Sequence, residues 1–320
     1  MRYFFLGWIA DYEQTMIKNL SLRHSTKIIS TPKKTKRLNR YITKINKFFK
    51  ANVINNAWLA KKLWRPHNVT TRDILICNDW QFKRSFQPTL IKHFNGKKVL
   101  LVRNIVDADF MHSIEGIFDK VYSFDAAQCQ AFGMDYMNQF FPYGVDDAKH
   151  LHNQVAEPSH AAKCFFLGRD KGRTAAIESI AEKLRHVNCI ADFHIVKDDK
   201  TQAVSQYHID EGLSYDENLR KSINATVLAD INQAGQTGIT LRVLESMFFN
   251  KKLITSNPTI AAHDFYRPEN VFIIDQHNAD NLDAFINTDA TALPNELLHQ
   301  YSPDYMLEKI TRDTSHTAHE

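Results

Sequence analysis

The chain of 320 residues lacks the sequence features that mark several common protein classes. Its four cysteines are scattered without paired spacing, which predicts free thiols in a reducing compartment rather than a metal cluster or a disulfide framework. No apolar run approaches the roughly 18 residues that a membrane span needs. The first residues, MRYFFLGWIADYE, are too short and too soon acidic for a secretory signal. We therefore expect a soluble, cytoplasmic protein.

Acidic residues are absent from one long stretch of the chain. Between Glu13 and Asp73 there is no Asp or Glu, and residues 14–72 carry 15 Lys and Arg. The whole chain has 40 basic and 36 acidic residues, so the remainder has 25 basic against 36 acidic. A basic block on an otherwise acidic protein predicts an anionic partner.

A basic amphipathic helix is predicted near residues 34–50, where apolar residues recur at spacings of three and four. The apolar residues are Leu38, Tyr41, Ile42, Ile45, Phe48 and Phe49. The basic residues between them are Lys36, Arg37, Arg40, Lys44, Lys47 and Lys50. Three interpretations remain open: the apolar face packs on its own domain, the helix lies on an anionic membrane surface, or it contacts nucleic acid. We expect no nucleic-acid partner, because no nucleic-acid-binding pattern accompanies the helix.

Strand-like and helix-like segments alternate in both halves of the chain, which predicts two α/β domains with parallel sheets. The predicted strands cover residues 2–8, 26–30, 73–77, 97–102, 120–123, 164–167, 192–196, 225–228, 252–255 and 271–274. We expect one domain over residues 1–150, a second over 160–300, and a C-terminal helix with a flexible tail over 301–320. The polar segment 146–160 shows no clear periodicity and is the expected linker.

The most informative stretch is residues 230–266, which predicts a strand end, a loop, a helix and a further strand. The entry to this helix is polar and contains a glycine. It comprises Gln236, Thr237, Gly238 and Thr240. A helix N-terminus concentrates unpaired N–H groups and suits a phosphate, and a carboxylate such as Glu245 could accept hydrogen bonds from sugar hydroxyls. The alternative is an ordinary βαβ connection in which Glu245 is a solvated residue that shares a face with Arg242.

Residues 236–245 match Gln-x-Gly-x-Thr-Leu-Arg-x-x-Glu, and Lys-Lys-Leu-Ile-Thr-x-Asn and Asp-Phe-Tyr follow. This pattern resembles bacterial glycosyltransferases of the GT-B fold, and more narrowly those of lipopolysaccharide or capsule assembly. The segment CFFLGRDKGR at 164–173 resembles the first strand and loop of their donor domain. The segment FDKVYSFD at 118–125 resembles the last strands of their acceptor domain.

The resemblance implies two Rossmann-like parallel-sheet domains that face each other across a cleft. It implies transfer of a sugar from a nucleotide sugar to a lipid-linked or oligosaccharide acceptor in surface-glycan synthesis, at the inner face of the membrane. Glu245 would hold the nucleotide ribose. The other implied donor contacts are Gly168, Arg169, Lys171, Arg173, Gln236, Thr237, Gly238, Thr240 and Arg242. Among these, arginine and lysine suit a diphosphate, because a guanidinium forks onto phosphate oxygens and an ammonium adds a point charge.

The sequence departs from the family pattern at one position that bears on mechanism. Many retaining members carry a second glutamate eight positions before the ribose-binding one, and Thr237 stands there in this chain. A retaining mechanism is therefore not implied. An inverting enzyme needs a general base. The candidates are Asp107, Asp125, Asp79 and Asp11, and the alternative for each is a helix cap or a turn.

Metal and cofactor requirements also follow from the resemblance, since GT-B enzymes usually work without either. We expect no metal and no bound cofactor, and we interpret the metal-like spacing of Asp107-Ala108-Asp109 as coincidence. Two other functions remain open. An epimerase of the same shape would convert a free nucleotide sugar without an acceptor. A non-catalytic protein would use the basic helix to bind a membrane or a polyanion.

Overall fold

The structure, a computed structural model, describes residues 1–82, 86–157, 161–233, 238–274, 276–277 and 281–315. Contacts between residues divide the chain into two compact units. The first comprises Met1–Asn138 and the C-terminal segment that begins at Asp304, and the second comprises Gln139–Pro303. Each unit contains a six-stranded sheet in which every pairing is parallel.

The first unit alternates strands and helices along the chain. Its strands are β1 (Tyr3–Leu6), β2 (Thr26–Ile29), β3 (Ile74–Asn78), β4 (Lys97–Val102), β5 (Lys120–Ser123) and β6 (Asp135–Tyr136), in the sheet order β2-β1-β3-β4-β5-β6. Its helices are α1 (Asp11–Leu20), α2 (Lys33–Phe48), α3 (Ala57–Trp64), α4 (Asp79–Phe82), α5 (Gln87–Lys92), α6 (Ala108–Ile114) and α7 (Ala126–Phe132), with a 3₁₀ turn at Arg65–His67.

The second unit begins with a helix and then repeats the same alternation. Its strands are β7 (Lys163–Arg169), β8 (Ile190–Val196), β9 (His208–Ile209), β10 (Val227–Asp230), β11 (Lys252–Thr255) and β12 (Val271–Ile273), in the order β12-β11-β10-β7-β8-β9. Its helices are α8 (Val145–Val155), α9 (Thr174–His186), α10 (Tyr215–Ile223), α11 (Leu241–Phe248), α12 (Leu282–Asn287) and α13 (Asn295–His299), with a 3₁₀ turn at Pro258–Ala262.

The last helix, α14 (Pro303–Ser315), lies on the first unit. The Tyr3 and Thr311 hydroxyls are 2.7 Å apart, and the Tyr122 hydroxyl donates to Asp313 at 2.9 Å. Asp304, at its first turn, forms an ion pair with Arg23 at 2.9 Å. These contacts join the C-terminal helix to two strands and to the turn after α1.

The prediction of two parallel α/β sheets is confirmed. Every residue of β1, β3, β10 and β11 is buried. A parallel strand that is covered on both faces is a nearly continuous apolar run, and such runs are what the sequence contains at these places. The described part of the chain contains no helix that is both long enough and apolar enough to cross a membrane.

One expectation from the sequence is wrong, and the structure bears on one of the three open interpretations of the basic helix. The expected linker 146–160 contains the helix α8, while residues 158–160 lie outside the described part. α8 packs on the hydrophobic core of the second unit through Val145, Ala148, Leu151 and Val155. These residues are three and four apart, but the polar residues between them hide this spacing in the sequence. The apolar face of the basic helix α2 does not pack as a whole on its own unit, because Ile42 is its buried member and the others are exposed.

Candidate functional site

The strand order of the second unit changes direction between the neighbouring strands β7 and β10, and the sheet edge beyond their carboxyl ends is here called the β7–β10 crevice. From β7 the chain moves outward through β8 and β9, and then returns to add β10, β11 and β12 on the other side. The connections after β7 and β10 therefore diverge, and ligands of open α/β sheets bind at such a point, beyond the carboxyl ends of the strands. Two predicted donor contacts in the connection after β10, Gln236 and Thr237, lie outside the described residues.

Arg173 connects the loop after β7 to the loop after β10. Its Nη1 donates to the carbonyl of Ile231, its Nη2 to the carbonyl of Arg169, and its Nε to the carbonyl of Asp170 at 3.2 Å. Gly168 leaves room for this side chain, since a Cβ there would come within 3.3 Å of Arg173 Nη2. Burial lowers the pKa of Arg173, and nearby carboxylates counteract that effect. The guanidinium thus fixes the spacing of the loops and brings positive charge to the crevice.

The N-terminus of α9 is occupied by a carboxylate of the protein itself. Asp170 is fully buried, and its Oδ1 accepts hydrogen bonds from the backbone N–H groups of Arg173 and Thr174, both at 3.1 Å. Burial raises the pKa of Asp170, but hydrogen bonds, including these two, outweigh it and lower the pKa. A phosphate at this helix end would meet that carboxylate. The side chains of Arg169 and Lys171 in the same loop are exposed.

Asp230 ties the end of β10 to two neighbouring elements. Its Oδ1 accepts a hydrogen bond from Thr240 Oγ1 at 2.9 Å, and its Oδ2 accepts one from Thr255 Oγ1 at 3.1 Å. Thr240 also caps α11, because its hydroxyl accepts hydrogen bonds from N–H groups in the first turn. Burial raises the pKa of Asp230, while the two threonine hydroxyls lower it. Asp230 and Thr240 therefore shape the loop between β10 and α11. The described part of this loop resumes at Gly238.

Glu245, the predicted ribose contact, lies inside the second unit and is 1% exposed. Its Oε1 accepts a hydrogen bond from Asn218 Nδ2 at 2.8 Å, and its Oε2 accepts one from Ser222 Oγ at 2.7 Å. Arg242 forms an ion pair with the same carboxylate and donates to Asn218 Oδ1 at 3.0 Å. The pair therefore joins α11 to α10. The ribose contact stays a prediction, and it would require Glu245 to exchange protein partners for ligand hydroxyls.

The first unit has a cleft of about 440 Å³ at its own sheet edge. β1 lies between β2 and β3 in the sheet. The connections that follow β1 and β3 therefore run to opposite sides, as those after β7 and β10 do in the second unit. The cleft is lined by Ile9, Ala10, Tyr12, Glu13, Asn78, Asp79, Trp80, Arg103 and Asn104. Ile9 and Trp80 are 58% and 56% exposed, which gives the cleft apolar surface beside its charged groups.

A buried ion pair lies in this cleft. Glu13 is 6% exposed, and its Oε1 accepts a hydrogen bond from Arg103 Nη1 at 3.2 Å. Its Oε2 accepts hydrogen bonds from the backbone N–H groups of Ile9 and Ala10 at 2.7 and 3.0 Å. The Arg103 guanidinium lies 5.4 Å from the ring centre of Tyr12. Glu13 lies within the first turn of α1 rather than directly after a strand, so the rule that places ligand groups after strands does not select it. Its acidic side chain in the first turn of a helix was the available signal in the sequence.

Asn78 and Asp79, at the end of β3, complete the polar lining. Asn78 Nδ2 donates to the Gly7 carbonyl at 3.1 Å, while its buried Oδ1 has no hydrogen-bond partner among the described residues. Asp79 accepts hydrogen bonds from the Arg103 backbone N–H at 3.0 Å and from Asn104 Nδ2 at 2.8 Å. An unsatisfied buried acceptor costs about 1–3 kcal/mol.

The other three predicted bases are not in the described lining of this cleft. Asp107 and Asp125 cap α6 and α7, where each accepts a hydrogen bond from a backbone N–H three residues on, at 2.8 and 2.9 Å. Asp11 is the exposed first residue of α1. The cap, the alternative weighed from the sequence, is thus the role that the structure gives to Asp107 and Asp125. Catalysis by any of these residues stays a prediction.

In the described ranges, no three His, Cys, Asp or Glu side chains are grouped so that they could hold a metal ion. Positive charge at the β7–β10 crevice comes from Arg169, Lys171 and Arg173.

Comparison with known proteins identifies the fold. No protein-family model matches the chain, and no curated protein matches its sequence. Among solved structures, one from work on retaining glycosyl transfer by trehalose-6-phosphate synthase has 11% identity and a TM-score of 0.50, covering 98% of this chain and 96% of that chain. The pneumococcal O-GlcNAc transferase GtfA, in complex with UDP and GlcNAc, has 12% identity and a TM-score of 0.50, covering 82% of this chain and 60% of that chain.

A third match is an α1,3-fucosyltransferase, with 10% identity and a TM-score of 0.47, covering 98% of this chain and 90% of that chain. The two matches with a TM-score of 0.50 show that the two parallel sheets of the chain have the GT-B fold of glycosyltransferases. At these identities the match concerns the fold. The chain spans 60% of the length of the pneumococcal transferase.

Proposed function

We propose that the protein is a glycosyltransferase that binds a nucleotide sugar at the β7–β10 crevice of its second unit. The observation that carries this proposal is the loop after β7. It brings Arg169, Lys171 and Arg173 to the point where the two strand connections diverge. Fixed cations at such a point stabilise the negative charge that develops on a departing nucleoside diphosphate.

The three cations have different tasks in this proposal. Arg173 uses N–H groups to hold the carbonyls of Arg169 and Ile231, so it positions the loops. Arg169 and Lys171 are exposed, so their charges are available to the diphosphate. A guanidinium can bind two phosphate oxygens at once, and an ammonium adds a mobile point charge. Arginine and lysine would then act where other transferases use a metal.

We infer that the cleft of the first unit takes the acceptor. Trp80 offers an exposed aromatic ring to the apolar side of a sugar. Asp79, which lines the cleft, is the base candidate with the best supported position for an inverting transfer. The Glu13–Arg103 pair would position the surrounding loop.

The resemblance of residues 230–266 to enzymes of lipopolysaccharide and capsule assembly supports a role in bacterial surface-glycan synthesis. The acceptor would then be an oligosaccharide or a lipid-linked glycan, and transfer would take place in the cytoplasm at the inner face of the membrane. The main alternative is an epimerase of the same fold, which would need the donor crevice and no acceptor.

Thermal unfolding with a panel of nucleoside diphosphates and nucleotide sugars tests the donor site. A ligand that binds only the folded protein raises its melting temperature. We expect stabilisation by one nucleotide family, loss of that stabilisation in Arg169→Ala/Lys171→Ala, and full stabilisation in Lys183→Ala. Lys183 is an exposed cation near the opposite end of α9, which makes it a matched control. Stabilisation by no nucleotide would contradict the proposal.

A second measurement separates the transferase from the epimerase. The stabilising nucleotide sugar is incubated with the protein without acceptor and followed by nuclear magnetic resonance. A transferase leaves the sugar configuration unchanged or slowly releases free nucleoside diphosphate to water. Appearance of an isomeric nucleotide sugar would favour the epimerase.

A further inference from the structure

The helix α2 exposes most of the apolar residues that its sequence places on one face. Leu38 is 40% exposed, Tyr41 51%, Ile45 38% and Phe48 81%. These four residues are here called the apolar stripe. Phe49, which follows the helix, is 60% exposed. An exposed apolar row of this kind on an ordered helix marks an interaction surface.

The helix is attached to the first unit along one edge of the apolar face and the strip beside that edge, away from the apolar stripe. Ile42 is 5% exposed, and Asn39 is 3% exposed and accepts a hydrogen bond from Asn56 Nδ2 at 2.8 Å. Asn46 exchanges two hydrogen bonds with the backbone of Ile54, both at 2.9 Å. Positions 39, 42 and 46 are three and four apart, so they form the attached face. The apolar stripe lies beside it and is left uncovered.

A basic stripe runs along the other side of the apolar stripe. With about 3.6 residues per turn, positions 33, 37, 40, 44 and 47 fall on one strip of the helix, next to positions 38, 41, 45 and 48. The residues of the basic stripe are Lys33, Arg37, Arg40, Lys44 and Lys47, all exposed. No acidic residue occurs anywhere from 14 to 72 to neutralise them locally in the sequence.

We propose that α2 docks on the surface of an anionic lipid membrane. The apolar stripe would lie at the boundary between headgroups and acyl chains, and the basic stripe would lie among the anionic headgroups. Charge complementarity selects this occupant. A second copy of the chain that docked through the same face would bring one basic stripe against another, and juxtaposed like charges disfavour association. A nucleic acid would neutralise the basic stripe but would leave Ile45 and Phe48 without an apolar partner.

Flotation of the full chain with lipid vesicles tests this inference. One set of vesicles contains phosphatidylcholine and phosphatidylglycerol, and the other contains phosphatidylcholine alone. We expect binding to the first set and little binding to the second. The variants Ile45→Ser/Phe48→Ser and Lys44→Glu/Lys47→Glu should each lower the partition constant by roughly tenfold or more, because both apolar burial and basic charge near the surface contribute.

Matched controls change the same chemistry elsewhere on the surface. Ile190→Ser/Val204→Ser removes exposed apolar residues of the second unit, and Lys183→Glu/Lys200→Glu makes the same change in net charge. Both controls should bind anionic vesicles as the wild type does. All substituted positions are exposed, and equal melting temperatures check that each variant is folded.

Three results would overturn the inference. The first is absence of binding to anionic vesicles. The second is binding that survives Ile45→Ser/Phe48→Ser but not Lys44→Glu/Lys47→Glu, which would indicate a purely electrostatic site for a polyanion such as heparin. The third is a dimer, seen by light scattering, that Phe48→Ser dissociates. None of these outcomes depends on nucleotide binding, so the inference can fail while the proposed donor site stands.

Discussion

Arg242 and Glu245 are three residues apart on α11, and their side chains meet inside the second unit. The spacing predicts that they share a helix face, which is what the structure shows. It does not predict what that face contacts, because Asn218 and Ser222 come from α10, more than 20 residues earlier in the chain. The pair was therefore predictable from the sequence, but its enclosure by α10 was not.

Substitution of Glu245 separates the structural role from the ligand role. Glu245→Ala leaves Arg242 buried without its counter-charge, so we expect the free energy of unfolding to fall by about 3–5 kcal/mol in urea denaturation. Glu245→Gln keeps acceptors and donors for Asn218 and Ser222, so it should lower the free energy of unfolding by less than Glu245→Ala does. If Glu245→Ala instead keeps full stability and loses nucleotide stabilisation, the carboxylate contacts the ligand directly.

At the scale of elements, the starts of β1 and β3 are joined by one carboxylate. Asp73 is 1% exposed and pairs with Arg2, whose Nη2 lies 2.6 Å from its Oδ2. Burial raises the pKa of Asp73, but hydrogen bonds from Arg2 and Thr70 outweigh burial and hold the pKa at about 2, below its ordinary value of 3.8. A carboxylate with a depressed pKa stabilises the folded state above its unfolded pKa.

The pH dependence of stability should report this carboxylate. Its contribution is fully present above pH 3.8 and is lost as the pH falls towards 2. Asp73→Asn should lower the free energy of unfolding at neutral pH by about 1–3 kcal/mol. In this variant the free energy of unfolding should also fall less between pH 3.8 and pH 2 than it does in the wild type. Urea denaturation across the acid range measures this difference. An acid profile identical to that of the wild type would contradict this assignment.

The two faces of α2 should differ in their contribution to stability. Ile42→Ala removes buried methyl groups from the attached face and should lower the free energy of unfolding by about 2–5 kcal/mol. Phe48→Ala removes a side chain that is 81% exposed, so the free energy of unfolding measured in urea should change by less than about 0.5 kcal/mol. A large loss from Phe48→Ala would mean that the apolar stripe packs within the protein.

The two strands that the sequence missed share a physical cause. β6 and β9 contain two residues each and are defined by hydrogen bonds to neighbouring strands rather than by any apolar run of their own. Long strands such as β4 were predictable because burial on both faces demands consecutive apolar residues. The exposure of the α2 stripe was not predictable, since an apolar stripe has the same periodicity whether protein or lipid covers it.

At the scale of the molecule, both units have the same architecture. In each parallel sheet the chain adds strands first on one side of the unit's first strand and then on its other side. The sequence predicted two parallel α/β sheets because strands and helices alternate, and it placed polar residues after the strands. It could not specify which loops meet. Glu13 and Arg103 are 90 residues apart, and Arg173 and Ile231 are 58 apart, so these contacts depend on strand order.

A calorimetric titration tests the central claim, that the loop after β7 binds the diphosphate of a nucleotide donor. The nucleoside diphosphate that best stabilises the protein is titrated into the wild type, Arg169→Ala/Lys171→Ala and Lys183→Ala. Because a charge-assisted contact to phosphate contributes roughly tenfold in affinity, we predict that the double variant binds at least about tenfold more weakly and that Lys183→Ala binds as the wild type does. Equal affinity in all three proteins would contradict the claim.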